Sequence, residues 1–317
     1  MKEDFVKRSD LVSIEEPKLG FEDFGGYEGV KSLVKESLIK PLKDPQKAFE
    51  FDVELPRGIL LWGPPGTGKT TFASIIAKEA GLPLIKLPVE NLISQWLGES
   101  GHRFSEAFRI IENASPAIVF VNEIDQFGKR DGGGTDGASQ EMRRVFSQFL
   151  TWLASPERRS IIIGTTNTPE VIDDAMIRPG RFSALIPFFP PDPAARKQIL
   201  EIHLGLQGSK RRPAMDEDSV RQVIEEVVKG SEFYSGAHLE ELVRRAKYIC
   251  FGGSDSALCG KHLLKALDEY KVDINSQKDR IISYMKLPSL FKDSLLALKS
   301  HASTEQIDQD RGGNHQS

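Results

Sequence analysis

Short apolar runs alternate with helical segments through the first part of this chain. The runs GILLW, PLIKL, AIVFV and IIIGTT follow one another from about Gly58 onward, and segments with helical periodicity separate them. One of these segments has apolar residues at the i, i+3, i+4 and i+7 positions of a single helix face: Phe104, Ala107, Phe108 and Ile111. Buried strands that alternate with helices are typical of a parallel sheet. The pattern therefore predicts an α/β fold.

The pattern changes after LIPFFPPDP, where prolines stand at positions 190, 191 and 193. Proline lacks the backbone N–H donor and marks a boundary between elements. The segments that follow have helical periodicity: AARKQILEIHLGL, SVRQVIEEVVKG, GAHLEELVRRAKYIC and GKHLLKALDEY. The sequence therefore predicts a smaller, all-helical second domain.

Two stretches in this second part have the composition of loops or tails. The loop GSKRRPAMDED carries Lys210, Arg211 and Arg212, which could contact an acidic partner, although an ordinary solvated turn is the favoured interpretation. From His301 the chain is polar and ends in RGGNHQS. We expect this tail to be disordered.

Composition and charge disfavour several classes of protein. The 317 residues include 42 Lys+Arg and 46 Asp+Glu, a net charge of −4, so the basic excess of a nucleic-acid binder is absent. Two cysteines, Cys250 and Cys259, are too few for a disulfide framework and lack the spacing of a four-ligand zinc site. The charged start MKEDFVKRSD is unlike a signal peptide, and no apolar run reaches the roughly 20 residues of a membrane span. We therefore expect a cytoplasmic protein with reduced thiols.

The segment GPPGTGKT, from Gly63 to Thr70, follows the run GILLW and opens a helical segment. It matches G-x-x-x-x-G-K-[ST], a phosphate-binding loop, in the strand-to-helix context that this site requires. Glycines let phosphates approach the backbone N–H groups, Lys69 adds a cation, and the Thr70 hydroxyl suits Mg²⁺. A glycine-rich turn that binds nothing is the disfavoured alternative. The predicted nucleotide contacts here are Pro65, Gly66, Thr67, Gly68, Lys69, Thr70 and Thr71.

Polar residues follow two further strand runs, at the carboxyl ends where ligands collect in open α/β sheets. After AIVFV, Glu123 is our candidate for the carboxylate that polarises an attacking water, with a solvated strand-end acid as the alternative. Asp125 is a weaker candidate that could simply cap the next segment. After IIIGTT, Asn167 could orient the lytic water or touch the γ-phosphate, although a strand-end Asn is more often a turn residue.

These residues together resemble the AAA ATPases, specifically the group that includes valosin-containing protein, spastin and katanin. The resemblance runs from about Phe21 to Tyr270. Its blocks, besides the GPPGTGKT loop, are FEDFGGYEGVKSLVKESLIKPL before the sheet, NEIDQF at the Walker B position, GTTNTPEVIDDAMIRPGRF across sensor 1 and the arginine fingers, and YSGAHLEEL in the lid. The resemblance implies a parallel sheet of strand order 5-1-4-3-2, a helical lid, and an ATP-dependent ring that is generally a hexamer. It also implies ATP and Mg²⁺ as cofactors.

The resemblance divides the chain into an N-terminal arm (1–20), a large α/β ATPase domain (21–190), a helical lid domain (191–275) and a C-terminal helix with a disordered tail (276–317). Residues 276–298 loosely resemble a helix that helps ring assembly in relatives, and a plain lid extension is the alternative. Because only about twenty residues precede the ATPase core, we expect the substrate-recruiting N-terminal domain of many relatives to be missing.

Further roles follow from the resemblance, position by position. Arg178 and Arg181 of RPGR resemble the arginine fingers that reach the ATP of a neighbouring subunit, where a guanidinium stabilises charge on the transferring phosphoryl group. The remaining positions resemble nucleotide contacts: Asp23 and Gly25 to the adenine, and His203, Gly236 and Ala237 to the nucleoside. Plain packing on an amphipathic helix remains the alternative for His203.

The segment SQWLGES, from Ser94 to Ser100, is similar to the central-pore loop of these ATPases, in which Trp96 and Leu97 would grip an extended polypeptide. A large apolar ring can intercalate between substrate side chains with little regard for their sequence. The alternative is that Trp96 packs into the core. KRDGGGTDG would be the second pore loop, flexible by composition.

The chain departs from the family at Walker B, where Asn122 replaces an aspartate that normally holds Mg²⁺. An amide keeps the oxygen but lacks the negative charge, so Asn122 should hold Mg²⁺ less firmly. We expect ATP binding to survive and hydrolysis to be slowed or to require more Mg²⁺.

Our first hypothesis is a homo-oligomeric ring ATPase, expected to be a hexamer. It would remodel, unfold or disassemble protein substrates by pore-loop threading. The substrates would be recruited directly or through an adaptor. The alternative is an ATP-gated assembly scaffold with weak hydrolysis, motivated by Asn122 and the missing N-terminal domain. A nucleic-acid motor is a distant third hypothesis, because the charge balance is acidic.

Overall fold

The computed structural model describes residues 11–89, 92, 100–127, 137–284 and 287. The chain divides into two compact units. The first contains Leu33–Gly63, Lys69–Pro187 and the described part of Met1–Lys18, and the second contains Leu19–Ser32, Pro64–Gly68 and the described part of Phe188–Ser317.

The helices are distributed along the whole described chain. Their bounds are α1 (Glu28–Val34), α2 (Lys40–Lys43), α3 (Pro45–Glu50), α4 (Lys69–Ala80), α5 (Ser100–Ala114), α6 (Gly137–Leu153), α7 (Pro193–Leu204), α8 (Glu217–Gly230), α9 (Gly236–Gly252), α10 (Gly260–Glu269) and α11 (Ile274–Tyr284). The described chain also contains a π-helical turn (Lys35–Ile39) and short 3-10 helices (Phe21–Asp23, Ile124–Phe127 and Pro169–Val171). Within these residues, no helix is both long and apolar enough to cross a bilayer.

The first unit is built on a six-stranded sheet in the order β1-β3-β4-β5-β2-β6. The strands are β1 (Ser13–Glu15), β2 (Gly58–Trp62), β3 (Leu84–Lys86), β4 (Ile118–Val121), β5 (Ile161–Thr166) and β6 (Ala184–Pro187). Strands β2 to β6 pair in parallel, and counted among themselves they follow the expected order 5-1-4-3-2. The α/β prediction is therefore confirmed. Strand β1 is an addition to it, because it pairs antiparallel with β3 and brings Glu15 to Lys86.

The central strands are buried along their whole length, which is why β2 and β4 are continuous apolar runs and β5 begins with three isoleucines. In the register, Trp62 lies opposite Thr166, and Val121 lies opposite Gly164. The carboxyl ends of β2, β4 and β5 therefore lie at one edge of the sheet.

Aromatic side chains join α5 and α6 in the core of the first unit. The predicted buried face of α5 is confirmed, since Phe104, Ala107, Phe108 and Ile111 are all buried. Phe108 stacks on Trp152 with ring centroids 4.3 Å apart, and Phe149 stacks on Phe127 at 4.5 Å. Phe127 ends the 3-10 helix that follows β4, so this packing also supports the segment after that strand.

The second unit contains α7 to α11 and confirms the prediction of a helical C-terminal region. Helix N-termini are capped by side chains, as Asp192 accepts a hydrogen bond from Ala195 N at 2.7 Å and Asp216 accepts one from Ser219 N at 3.2 Å. The apolar faces of α7 to α10 form one buried cluster that includes Leu200, Leu204, Val227, Leu239, Leu242 and Leu263. Of residues 276–298, the structure describes the part up to Tyr284, within α11, and Leu287.

Candidate nucleotide-binding and hydrolysis residues

The polar residues predicted from the strand ends of the first unit lie at one edge of its sheet. Gly63 follows β2, and its N–H donates to the carbonyl oxygen of Thr166 at 3.3 Å. Asn122 follows β4 and Asn167 follows β5. The side chain of Lys69 is buried, and its Nζ donates to the carbonyl oxygen of Gly63 at 2.8 Å.

Thr165 connects the two residues that follow β4. Its hydroxyl donates to Oδ1 of Asn122 at 2.8 Å and accepts from the backbone N–H of Glu123 at 3.2 Å. The side chain of Thr165 is buried, whereas Asn122 is exposed. Sequence reasoning missed Thr165, because its position inside IIIGTT gives it no motif of its own.

Glu123 stands at a φ of 48°, a left-handed backbone conformation that is uncommon for residues other than glycine. Its Oε2 accepts a hydrogen bond from Nε2 of Gln126 at 2.9 Å. The half-buried carboxylate is thus held by a neighbour on the next turn and by the backbone bond to Thr165. Such strain is typical of functional sites, where the surrounding structure must enforce it.

Asp125 joins the ends of β4 and β5 rather than capping a helix. Its buried carboxylate accepts the hydroxyl proton of Thr166 at 2.8 Å, and Thr166 Oγ1 in turn accepts from Thr168 N at 3.0 Å. The interaction fixes the turn that carries Asn167. The sequence alone does not distinguish a site role for Asp125 from a capping role.

The two arginines of RPGR differ in environment. Arg178 is exposed. Arg181 is half-buried, and its guanidinium donates to the carbonyl oxygen of Ala175. Its backbone carbonyl lies so close to Gly58 that a Cβ at Gly58 would come within 2.5 Å of it. Arg178 is therefore open to solvent, whereas Arg181 also has contacts inside its own unit.

In the second unit, loop residues 64–68 contact the start of α9. Gly66 has a φ of 76°, and a Cβ there would lie 2.7 Å from the hydroxyl oxygen of Ser235. The carbonyl oxygen of Gly66 accepts a hydrogen bond from Ala237 N at 3.0 Å. The hydroxyl of Thr67 donates to the carbonyl oxygen of Pro64 at 2.9 Å. The loop therefore requires glycine at 66 for its conformation and for its approach to α9.

Asp23 and Gly25 lie in a segment that packs on α7 within the second unit. The buried carboxylate of Asp23 accepts from Ser209 N at 2.6 Å and from Gly20 N at 3.1 Å. A Cβ at Gly25 would lie 2.6 Å from Ile199 N, so only glycine fits there. Next to it, Gly26 N donates to Oε1 of Gln198 at 2.7 Å. The Asp23 side chain thus supports the conformation of this segment.

His203 lies on α7 among three charged residues. Lys210 Nζ is 2.8 Å and Glu240 Oε1 is 3.3 Å from Nδ1 of His203, and Lys247 Nζ donates to the His203 carbonyl oxygen at 2.8 Å. Burial, together with the positive charge of Lys210, lowers the pKa of His203 to about 4. The imidazole is therefore neutral at pH 7 and its Nδ1 accepts from Lys210. Two of the three cations of the loop GSKRRPAMDED bind acidic residues of this chain, Lys210 with Glu240 and Arg212 with Glu217.

The remaining predicted residues are placed as follows. Thr70 is exposed and Thr71 half-buried in the first turn of α4, and Gly236 begins α9. Trp96 and Leu97 of the predicted pore loop lie outside the described residues, as does all of the predicted second pore loop up to residue 136.

The donors near the phosphate-binding loop suit a magnesium ion that brings its own anionic ligands. Thr70 offers a neutral hydroxyl and Asn122 a neutral amide oxygen, which is already engaged by Thr165. Within the described part of the chain, no three His, Cys, Asp or Glu residues form a metal-binding group. Mg²⁺ commonly binds through substrate phosphates and water with few protein ligands. The residues fit a Mg²⁺ ion carried by a nucleotide rather than one held by the protein alone.

Comparisons with known proteins show the family to which this chain belongs. Residues 59–189 match the family described as "ATPase family associated with various cellular activities (AAA)". The chain contains an AAA ATPase domain. The matched range covers all five parallel strands of the sheet, from Ile59 in β2 to the end of β6.

Several curated relatives resemble the AAA chain over most of its length. It is 39% identical over 237 residues to the Cell division cycle protein 48 homolog of Archaeoglobus fulgidus, covering 74% of this chain and 31% of that protein. It is 38% identical over 237 residues to Protein SAV of Sulfolobus acidocaldarius, covering 74% and 29%. It is 33% identical over 279 residues to the ATP-dependent zinc metalloprotease FtsH of Acidimicrobium ferrooxidans, covering 87% and 39%. The chain thus spans about a third of the length of these relatives.

Proposed function

We propose that this chain is an ATP-hydrolysing AAA ring protein that remodels, unfolds or disassembles protein substrates by threading them through a central pore. The observation that carries the proposal is the strand-end arrangement of the first unit, where Lys69, Asn122, Glu123 and Thr165 converge on the edge next to Gly63. This edge of the sheet combines the buried cation of Lys69, the carboxylate of Glu123 and the side-chain amides of Asn122 and Asn167. Such groups are suited to phosphoryl transfer to water.

In this proposal the phosphate-binding loop holds the nucleotide through its backbone N–H groups. The Nζ of Lys69 exchanges the carbonyl of Gly63 for phosphate oxygens. Thr70 and Asn122 would hold the Mg²⁺ that accompanies the nucleotide. When bound, that ion neutralises charge on the phosphates. Asp23, Gly25, His203, Gly236 and Ala237 are proposed to contact the base and sugar.

Glu123 is the proposed general base. Gln126 holds one of its carboxylate oxygens, so the other can accept a proton from the attacking water. Asn167, at the end of β5, orients that water or contacts the γ-phosphate. Because the Thr165 hydroxyl fixes the Glu123 backbone, the carboxylate needs little rearrangement to act.

Arg178 and Arg181 are proposed to act in trans, on the nucleotide of the next copy in a ring. The exposure of Arg178 supports this role, because a guanidinium that serves another molecule must be accessible. An arginine finger of this kind contributes roughly 10³ to 10⁵ in rate. The ring, which we propose to be a homo-hexamer in the cytoplasm, would engage its protein substrate through Trp96 and Leu97, directly or through an adaptor.

Asn122 favours one alternative, an assembly scaffold that binds ATP but hydrolyses it weakly. The neutral amide lacks the charge of a carboxylate toward Mg²⁺. In that case ATP would promote oligomerisation without sustained phosphate release. Steady turnover above about 1 per minute per subunit would contradict the scaffold.

The decisive experiment mixes two variants that are each impaired in a different half of the shared site. Arg178→Ala protomers retain Glu123, and Glu123→Gln protomers retain Arg178. In a ring with head-to-tail interfaces, an equal mixture restores intact pairs at about one interface in four, so we expect about a quarter of the wild-type phosphate-release rate. The unmixed variants, and each variant mixed with itself, are the controls.

A mixture no faster than its components would contradict the shared site. Full turnover by a solitary protomer, measured as a rate per subunit that does not rise with protein concentration, would contradict it equally. Threading is tested separately with Trp96→Ala, which should keep ATPase activity while losing ATP-dependent unfolding of a folded reporter protein that carries an unstructured tail. Equal unfolding by this variant would contradict the pore-loop assignment.

A further inference from the structure

A cysteine, a histidine and an aspartate lie in a row at the start of α10 in the second unit. Sγ of Cys259 is 3.3 Å from Nδ1 of His262, and Nε2 of the same ring is 3.0 Å from Oδ2 of Asp255. A nucleophile within reach of a base, with the base oriented by an acid on its other nitrogen, is the arrangement that activates thiols in enzymes. None of these three residues belongs to the nucleotide site.

Helix capping accounts for only part of this arrangement. The start of α9 repeats it with Ser235 and His238, where Ser235 N donates to Nδ1 of His238 at 3.1 Å. Cys259 N likewise donates to Nδ1 of His262 at 3.0 Å. The cap thus explains why a histidine stands three residues after the capping residue of both helices, and the sulfur of Cys259 takes the capping place that the Ser235 hydroxyl has at α9. The cap does not require the acid, which the α10 site has in addition.

The hydrogen bonds fix the tautomer of His262. Because Nδ1 accepts the Cys259 N–H, the imidazole proton sits on Nε2, where it is donated to Asp255. The lone pair that can receive the thiol proton therefore faces Sγ. The ring is 3% exposed, so its orientation is held by packing as well.

The surroundings of the sulfur suit an anion and allow access. Cys259 is partly exposed. It stands at the N-terminus of a ten-residue helix, where the helix dipole favours negative charge. Lys261 Nζ contacts Asp255 at 2.8 Å, and its pKa is raised, first by that contact and also by the nearby Cys259 and Cys250 sulfurs. A cation thus lies close to the thiol.

We propose that Cys259 is a reactive thiol and a modification site for hydroperoxides, with His262 as its base and Asp255 as the residue that orients the base. The proton of Sγ moves to Nδ1 of His262, and an Nδ1–H···S⁻ bond replaces the bond from Cys259 N. The thiolate attacks one peroxide oxygen, the O–O bond breaks, and the departing hydroxide takes the proton from His262. Sulfur is oxidised to the sulfenic acid and the peroxide is reduced to water when hydrogen peroxide is used.

The test treats the reduced full chain with hydrogen peroxide at neutral pH and traps sulfenic acid with dimedone, with peptide mass spectrometry reporting the rate at each cysteine. Cys250, also partly exposed, is the internal reference. We expect Cys259 to react at least about 10-fold faster than Cys250, a threshold set below the roughly 10²-fold that a positioned base typically contributes.

Three variants separate a reactive site from a simple cap. Asp255→Asn, a change at the surface, should slow Cys259 several-fold, and His262→Gln should bring it to the rate of Cys250. His238→Gln, which alters the twin cap at α9, should leave the Cys259 rate unchanged. Equal rates at the two cysteines in the wild type, or an unchanged rate in Asp255→Asn, would overturn the proposal. Thermal unfolding checks that each variant is folded, and Asp255→Asn decides the matter if His262→Gln is not.

Discussion

Thr165 donates its hydroxyl proton to Oδ1 of Asn122 at 2.8 Å, across the gap between two neighbouring parallel strands. The same oxygen accepts the backbone N–H of Glu123 at 3.2 Å. One buried side chain therefore positions both the residue that replaces the usual Walker B aspartate and the proposed general base. Thr165 is therefore a positioning residue for the proposed hydrolysis, since it acts through Asn122 and Glu123.

Replacing Thr165 with valine keeps the shape of the side chain and removes both hydrogen bonds. We expect phosphate release to fall about 10- to 100-fold, because small displacements of catalytic groups have effects of that size, with little change in the KM for ATP. The loss of two partly buried hydrogen bonds, at about 0.5–1.5 kcal/mol each, should also lower stability. Steady-state ATPase assays and urea unfolding measure the two effects.

Thr165→Ser is the matched control, since it retains the hydroxyl and should keep most of the activity. A Thr165→Val protein that hydrolyses ATP like the wild type would show that Glu123 needs no support from β5.

Asn122→Asp should strengthen the interaction with Mg²⁺. The Thr165 hydroxyl can donate to a carboxylate oxygen as it does to the amide, so the substitution preserves the local bond while adding a negative charge. We expect the variant to reach half-maximal turnover at a lower Mg²⁺ concentration than the wild type. Magnesium titrations of ATPase activity measure this directly. Equal turnover of the two proteins at low Mg²⁺ would refute the interpretation of Asn122.

The fold was predictable where burial makes the sequence pattern strong. The strands β2 and β4 are apolar throughout and β5 begins with three isoleucines because these strands are buried, and α5 shows its buried face in the spacing of Phe104 and Phe108. Strand β1 was not predictable from SIE, because its pairing with β3 depends on backbone hydrogen bonds and on one ion pair with Lys86. A three-residue edge strand carries too little periodicity to detect.

The candidate site was predictable only where residues stand in motifs. The loop from Gly63 to Thr70 and the residues after β4 and β5 are identified by position along the chain. Thr165 lies 43 residues from Asn122 and became visible only through the register of β4 and β5. Cys259 and His262 are close in sequence, but a histidine three residues after the capping residue can also be explained by helix capping alone. No sequence pattern predicts the contact of Asp255 with His262.

The two fingers should respond differently to substitution. Arg178→Ala should abolish most hydrolysis without lowering the thermal unfolding midpoint, because the side chain is exposed. Arg181→Ala should lower both, since its guanidinium also binds the carbonyl of Ala175. Phosphate-release assays and thermal unfolding of the same preparations test the distinction. If Arg178→Ala unfolds as early as Arg181→Ala, the assignment of Arg178 as the freely accessible finger is wrong.

His203 should make the stability of the second unit depend on pH. Its pKa is lowered to about 4, first by burial and then by Lys210, against about 6.5 for an unfolded histidine. Between these values the unfolded chain binds a proton that the folded chain does not. Stability is therefore greatest above pH 6.5 and declines as the pH falls toward 4, by at most about 3 kcal/mol from this residue.

Urea unfolding at pH 7.5 and at pH 5 tests this contribution by comparing the wild type with His203→Gln. The loss of stability between the two pH values should be smaller in the variant. His102→Gln is the control, because His102 is exposed on α5, and its loss should equal that of the wild type. Identical losses in wild type and His203→Gln would mean that Glu240 and its neighbours, rather than the imidazole, set the pH dependence.

Two phenylalanines of the first unit differ in burial, so their substitution tests how much packing contributes to stability. Phe149 is fully buried and stacks on Phe127, which ends the short helix after Glu123, whereas Phe49 on α3 is 88% exposed. Phe149→Ala should therefore lower the free energy of unfolding by about 3–5 kcal/mol, while Phe49→Ala should change it by less than about 0.5 kcal/mol. Urea unfolding of the two variants measures the difference. A similar small effect from both would show that the aromatic cluster does not form the core that supports Glu123.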